Sequence, residues 1–204
     1  MRFHSCLLAA VSLLVSCPAW GTVVAYTTRA EFDSDTTVQF TDTFSDIGLF
    51  TSYGSSLSRT AGDYGYTVST DSTLYGKEHF FDPALGVLAT TATITLSGFT
   101  GGVYAIGGFF FPLDFSGEPQ PGFVYPLSIT VTDEDGAVTV IRYDESFYGF
   151  VSDKPILSVG FSSDFLNGYP AIDDLVLAKS LIVPEPSAVL LGVVGGLALL
   201  RRRR

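Results

Sequence analysis

Through the middle of the chain apolar and polar residues alternate with a period of two, the pattern of strands with one buried face. In Ala92-Thr93-Ile94-Thr95-Leu96-Ser97-Gly98-Phe99, Ile94 and Leu96 fall on one face and Thr93, Thr95 and Ser97 on the other. Leu127 to Asp133 repeats the alternation and part of Ala137 to Asp144 continues it. Glu134-Asp135-Gly136 between them supplies turn chemistry, so these two segments predict a hairpin. Val103 to Phe111 is more continuously apolar, and its Gly107-Gly108 pair predicts a bulge or the close approach of another backbone. Val38 to Phe44, Tyr64 to Ser69, Phe147 to Val151, Ile156 to Ser162 and Ala171 to Ala178 are further strand candidates. One short helix is expected, because Thr28-Arg29-Ala30-Glu31 has capping-box spacing ahead of Phe32. Many short strands separated by Gly, Pro and Asp predict an all-β fold, a jelly-roll-like antiparallel β-sandwich.

The two ends depart from this pattern. At the front, one arginine precedes an apolar stretch from Cys6 to Val15 and then small residues, which reads as a signal peptide over 1–21. Ala19-Trp20-Gly21 fits cleavage after Gly21, and Val23-Val24-Ala25 offers cleavage after Ala25 as the alternative. Leu14-Val15-Ser16-Cys17 is also similar to a lipoprotein processing box, in which case Cys17 would carry lipid. The expected domain then spans 22–180, and the remainder, 181–204, is a tail with its own logic.

That tail runs Val183-Pro184-Glu185-Pro186-Ser187, a short oily segment, and four arginines. The oily segment is carried by Ala188, Leu190, Leu191, Val193, Val194, Leu197, Leu199 and Leu200. As a helix, Ser187 to Leu200 would be about 21 Å long, short of the roughly 30 Å of a bilayer core. Arg201, Arg202, Arg203 and Arg204 would stay cytoplasmic by the positive-inside rule. The span makes a poor permanent anchor and a good transient stop.

Motif, apolar run and basic tail in this order resemble the PEP-CTERM sorting signal of Gram-negative, biofilm-forming bacteria. The resemblance implies that Pro184, Glu185 and Pro186 are recognised by an exosortase, a membrane-embedded cysteine protease or transpeptidase. It also implies export through the Sec machinery, a transient inner-membrane tether with a short transmembrane helix, and release to the cell surface or extracellular matrix. Association with exopolysaccharide in a biofilm is the biology that such a signal suggests. Tyr26-Thr27-Thr28-Arg29-Ala30-Glu31-Phe32, Phe147 to Ile156, Val159-Gly160-Phe161 and Ala171-Ile172-Asp173-Asp174-Leu175 are similar to segments of other proteins bearing this signal. In those proteins the last segment is the final strand of a jelly roll resembling carbohydrate-binding domains. By that resemblance Asp173 is a candidate ligand of a structural calcium ion, with Asp42 or Asp46 as its partner, since calcium needs only oxygens.

Charge narrows the partners. Arg29, Arg59, Lys77, Arg142, Lys154 and Lys179 are the bases between Thr22 and Val183, and every carboxylate except Glu185 lies there too. Six bases against 20 acids leave a net of −14 for this body, more negative than the −10 of the whole chain. Such a body repels phosphate backbones, so nucleic acid is not an expected partner. Candidate catalytic chemistry is thin. His79 is the one histidine beyond the signal, both cysteines (Cys6 and Cys17) leave with it, and no Gly-x-Ser-x-Gly elbow occurs. Asp133-Glu134-Asp135-Gly136 reads as a solvated hairpin turn rather than a metal loop. The expectation is therefore a non-enzymatic exported protein. A carbohydrate-binding module using Tyr53, Tyr64, Tyr66, Tyr75 or Tyr104 is the alternative, and a polymer hydrolase with two carboxylates a second.

Overall fold

A computed structural model describes residues 23–79, 82–114, 126–142, 146–163 and 168–181. The expected signal peptide and, beyond Leu181, the expected sorting signal fall outside the described residues. Twelve strands and one helix make up the rest. They are β1 (Val23–Tyr26), α1 (Arg29–Ser34), β2 (Thr36–Asp42), β3 (Ser52–Ala61), β4 (Tyr64–His79), β5 (Asp82–Val87) and β6 (Thr93–Ser97). After them come β7 (Ala105–Leu113), β8 (Leu127–Asp133), β9 (Ala137–Arg142), β10 (Phe147–Ser152), β11 (Ile156–Ser163) and β12 (Tyr169–Ser180).

Every pairing is antiparallel, and the strands form one sheet in the order β1-β10-β7-β12-β5-β4-β6-β11-β8-β9, with β2 added on β12 and β3 on β4. Two strands act as corners by changing partners along their length. β4 pairs with β6 through Thr67 to Thr70 and then with β5 through Leu74 to His79. β12 pairs with β5 at Ala171 and Ile172 and with β2 from Leu175 to Ser180. The sheet thereby folds over on itself as a sandwich, and the core fills the gap between the two faces. Phe110 of β7 and Phe161 of β11, on opposite leaves, meet edge to face with centroids 5.2 Å apart.

Alternation explains the inner faces. Ile94 and Leu96 of β6, and Leu127, Ile129 and Val131 of β8, are buried while the residues between them are not. Each such side chain stabilises the fold by roughly 1.5–3 kcal/mol. β12 is apolar on both faces because both are covered. Ile172, Leu175 and Leu177 join the main core, and Val176 and Ala178 join a second cluster with Phe32 and Phe147. That second cluster is the reason for α1, whose buried Phe32 lies over Gly149 of β10, where a Cβ would stand 2.3 Å from the ring. Thr28 caps the helix as expected, accepting from Glu31 N–H at 3.3 Å and donating its hydroxyl to the Glu31 carboxylate at 2.9 Å.

Several boundaries differ from the sequence reading. β2 stops at Asp42 rather than Phe44, because Asp42 Oδ1 accepts from Phe44 N–H and turns the chain. β4 runs ten residues beyond Ser69, and β1, β3 and β5 are strands that the alternation does not announce. The Gly107-Gly108 pair does mark a close approach, but the bulge belongs to the partner strand. Asp173 pairs with Phe109 and Val176 with Gly107, so Asp174 and Leu175 together face Gly108. Asp174 takes a positive φ of 47° to allow it. A Cβ on Gly108 would lie 3.1 Å from the Asp173 carbonyl oxygen. No helix of the described residues is long and apolar enough to cross a membrane.

Candidate functional site

Charges collect where β2 leaves one leaf of the sandwich and β3 and β4 begin the other. Asp42 ends β2 opposite Leu175 of β12, and Arg59 of β3 sits opposite Tyr66 of β4. The Arg59 guanidinium grips two carboxylates at once. Its Nε and Nη2 donate to Asp42 at 2.9 and 2.6 Å, and its Nη1 and Nη2 donate to Asp46 at 2.9 and 2.7 Å. Tyr66 adds its O–H to Asp42 Oδ2 at 2.6 Å, and the guanidinium lies 5.1 Å from the centroid of the Phe44 ring. Two-pronged bonds of this kind suit the planar fork of arginine and not a lysine.

The two arms differ in environment. Side chains of Arg59 and Asp42 are 10% and 4% exposed, whereas that of Asp46 is 72% exposed. Burial works against the Arg59 charge, but its bonds to Asp42 and Asp46 outweigh that penalty and raise its pKa. The Tyr66 phenol is pushed up by burial and then by the Asp42 charge beside it. Asp46 is lowered, chiefly by its hydrogen bonds from Arg59. This clamp ties together β2, the loop to Asp46, β3 and β4, and so joins the two leaves.

Asp42 and Asp46 are thus brought together, but around a guanidinium, which supplies the positive charge between them. Asp173, the third residue of the calcium expectation, is not gathered with them. It is buried at the bulge of β12, and its Oδ1 accepts from Asp174 N–H at 2.8 Å. Among the described residues no group of three or more His, Cys, Asp or Glu is placed to hold a metal. Asp133 is also no surface acid. It is buried, accepts from the N–H groups of Asp135 and Gly136 through Oδ1, and takes the Ser152 hydroxyl on Oδ2 at 2.7 Å. The turn between β8 and β9 is therefore pinned to β10.

The expected tyrosines scatter. Tyr64 and Tyr66 are core residues, with Tyr64 O–H donating to the Val38 carbonyl. Tyr53 is half-buried against the core, and its phenol oxygen accepts from Gly48 N–H. Tyr75 takes part in a site that the sequence did not announce. Lys77 is 7% exposed, with its Nζ 5.4 Å from the Tyr75 ring centroid and 5.5 Å from that of Tyr169. Burial lowers the Lys77 pKa, and the charge of Asp114 partly offsets it. The stem crosses Gly86, where a Cβ would lie 3.0 Å from Lys77 Cγ. One signal could have flagged both bases, namely a lone Lys or Arg within a strand of an otherwise base-poor body.

No family model matches the chain, and no curated protein does. Among solved structures it is similar to the N-terminal CBM22-1–GH10 modules of endo-1,4-β-D-xylanase 10B of Clostridium thermocellum, complexed with xylohexaose. That match has 12% identity and a TM-score of 0.36, and covers 76% of this chain and 31% of the other. Exo-β-1,3-galactanase of Phanerochaete chrysosporium with galactose matches at 16% identity and a TM-score of 0.28, over 76% of this chain and 29% of the other. The chain spans under a third of the length of either. Neither likeness bears on what this chain binds. The class that the fold defines is an antiparallel, jelly-roll-like β-sandwich.

Proposed function

We propose that the chain is an exported, non-enzymatic β-sandwich protein, processed at Pro184-Glu185-Pro186 by an exosortase and resident with exopolysaccharide at the cell surface or in the matrix. The supporting observation is where the sandwich closes. β12 lies in the middle of the sheet and ends at Ser180, and Leu181 N–H then donates to the Asp35 carbonyl at 2.8 Å. The Pro-Glu-Pro motif begins three residues later, so a cut there leaves every described strand whole. The buried charges support a structural role as well, since Arg59 and Asp133 are spent on joining strands. Intact-mass measurement of the protein recovered from an exosortase-bearing host tests the reading. Loss of 1–21 and of the segment after about Val183 is the expected result, and a chain still carrying Arg201 to Arg204 would refute it.

The carbohydrate-binding reading has one observation in its favour, the two tyrosine rings, Tyr75 and Tyr169, gathered beside the Lys77 ammonium. Binding of neutral glycans on an array, lost in both Tyr75→Ala and Tyr169→Ala, would support it. Unchanged array signals in both variants would remove it.

A further inference from the structure

Among the described residues four strands have a partner on one side alone, β1, β2, β3 and β9. An open edge invites another strand, and proteins usually blunt it by shortness, bulges, proline or charge. β1 has four residues. The pairing of β2 with β12 shifts register between Leu177 and Lys179, and that of β3 with β4 shifts twice around Gly54, which has a φ of 73°. β9 has none of these devices before its last residue, Arg142. Its pairing with β8 runs without a shift from Leu127↔Arg142 to Thr132↔Ala137, and Ala137-Val138-Thr139-Val140-Ile141 contains no charge, glycine or proline.

Its side chains are open as well. Val138 and Val140 pair with Val131 and Ile129, so they lie on the core side of the sheet. Yet Val138 is 38% exposed while both partners are fully buried, and Ile141 on the outer side is 53% exposed. The core face of the sandwich therefore continues past its last strand.

We propose that β9 is the interface of a two-fold dimer in which β9 of a second copy adds antiparallel to it. Strand alternation restricts the register, since a slip of one residue would turn the core-side valines outward. Laid on itself about Thr139, the strand sets Val138 opposite Val140, Ala137 opposite Ile141 and Thr139 opposite Thr139. Position 142, a base, then falls opposite Gly136 in the exposed acidic turn of Glu134 and Asp135. The strand is its own complement, which is the reason to assign a second copy and not a foreign peptide. A closed pair also leaves no β9 edge open. The contact is short, about 20 Å for six residues, and the acidic bodies repel, so association is concentration-dependent. It goes beyond the sorting reading and holds whether or not Pro184-Glu185-Pro186 is cut.

Sedimentation equilibrium of the exported protein, with Val138→Lys and Ile141→Lys variants, tests it. The expected result is a dimer fraction that rises with concentration, weakened at least about tenfold by either lysine, at an unchanged unfolding midpoint for Ile141→Lys. Hydrogen exchange at 137–142 should slow as concentration rises, with no such change in β1 or β3. A protein that stays monomeric up to about 1 mM overturns the proposal. So does association that survives both substitutions, which would place the contact elsewhere, or an edge protected only when a different protein is present.

Discussion

Removing the Arg59 guanidinium should destabilise the domain far more through one of its carboxylates than through the other. Asp42 has a side chain that is 4% exposed, and in Arg59→Met it would keep Phe44 N–H and Tyr66 O–H but lose its only counter-charge within the clamp. Stranding a buried charge costs about 3–5 kcal/mol, and the two surviving donors pull the expectation to about 3. The Asp46 arm is 72% exposed and water screens it, so Asp46→Ala should cost no more than about 1 kcal/mol. Urea unfolding gives the comparison, with an unchanged m-value as the sign that folded and unfolded states kept their compactness. At this size 1 kcal/mol moves the midpoint by about 2–4 °C, so Arg59→Met should melt about 6–12 °C lower. Adding Asp42→Asn to Arg59→Met should recover a large part of the loss, since a neutral amide removes the stranded charge, its oxygen still accepts from Phe44 N–H, and its NH2 can donate to the Tyr66 oxygen once that hydroxyl turns. If Arg59→Met stays within about 1 kcal/mol of wild type, or Asp46→Ala costs as much as Arg59→Met, the clamp does not work as described.

Three further outcomes are expected. Gly76→Ala should cost about 3 kcal/mol or more, because its Cβ would stand 2.1 Å from the Gly48 carbonyl oxygen; Gly160→Ala, with nothing nearer than 3.9 Å, should be neutral or slightly stabilising, both by urea unfolding. Thr28→Ala removes the cap of α1 and should lower stability by about 1 kcal/mol in the same assay. In alkali, Tyr26 is pushed up to about 12 by burial and then by its hydrogen bond to Asp35, and burial also raises Tyr64 and Tyr66. Groups raised on folding stabilise fully below their ordinary value of 10.0 and lose that contribution as pH climbs through the folded value. Lys77, lowered by burial, acts in the opposite sense over its own range, so the fall should be steeper in Lys77→Met. Thermal midpoints taken from pH 9 to pH 12 check this, and a midpoint flat across that window would contradict the assignment.

Where burial is one-sided, alternation carries the information, as in β6 and β8. β3 escaped that reading because it is a Ser- and Thr-rich edge strand with little to bury, and only its pairing with β4 makes it a strand. β5 escaped because Pro83 and Gly86 look like loop residues. At a corner shared by β4 and β12 they are tolerated, and the space over Gly86 is filled by Lys77 and Ala171. The helix was legible because its signal is local, four residues of capping chemistry and one apolar anchor. The clamp was half legible. Asp42 and Asp46 stand close in sequence and are the acids of the calcium expectation, but Arg59 lies 17 and 13 residues on, and spacing alone does not distinguish a guanidinium partner from a metal ion. Lys77 was less legible still, since Tyr169 reaches it from a strand at the far end of the chain.

The two ends of the sandwich bear unequally on the two N-terminal cuts that the sequence permits. Cleavage after Gly21 leaves β1 whole, with Val23 opposite Ser152 and Tyr26 opposite Gly149. Cleavage after Ala25 would strip three of its four residues, among them Val23, which packs on the main core. Tyr26 packs on Phe32 and donates its O–H to Asp35, the residue that closes α1. From the other direction, Ser180 pairs with Thr36, and Leu181 N–H ends on the carbonyl of that same Asp35. First strand and last strand are therefore fastened to one helix terminus, the first by a side chain and the last by main chain. A domain fastened so can lose residues from either end and keep its fold, provided that a front cut falls before Val23 and a rear cut after Leu181.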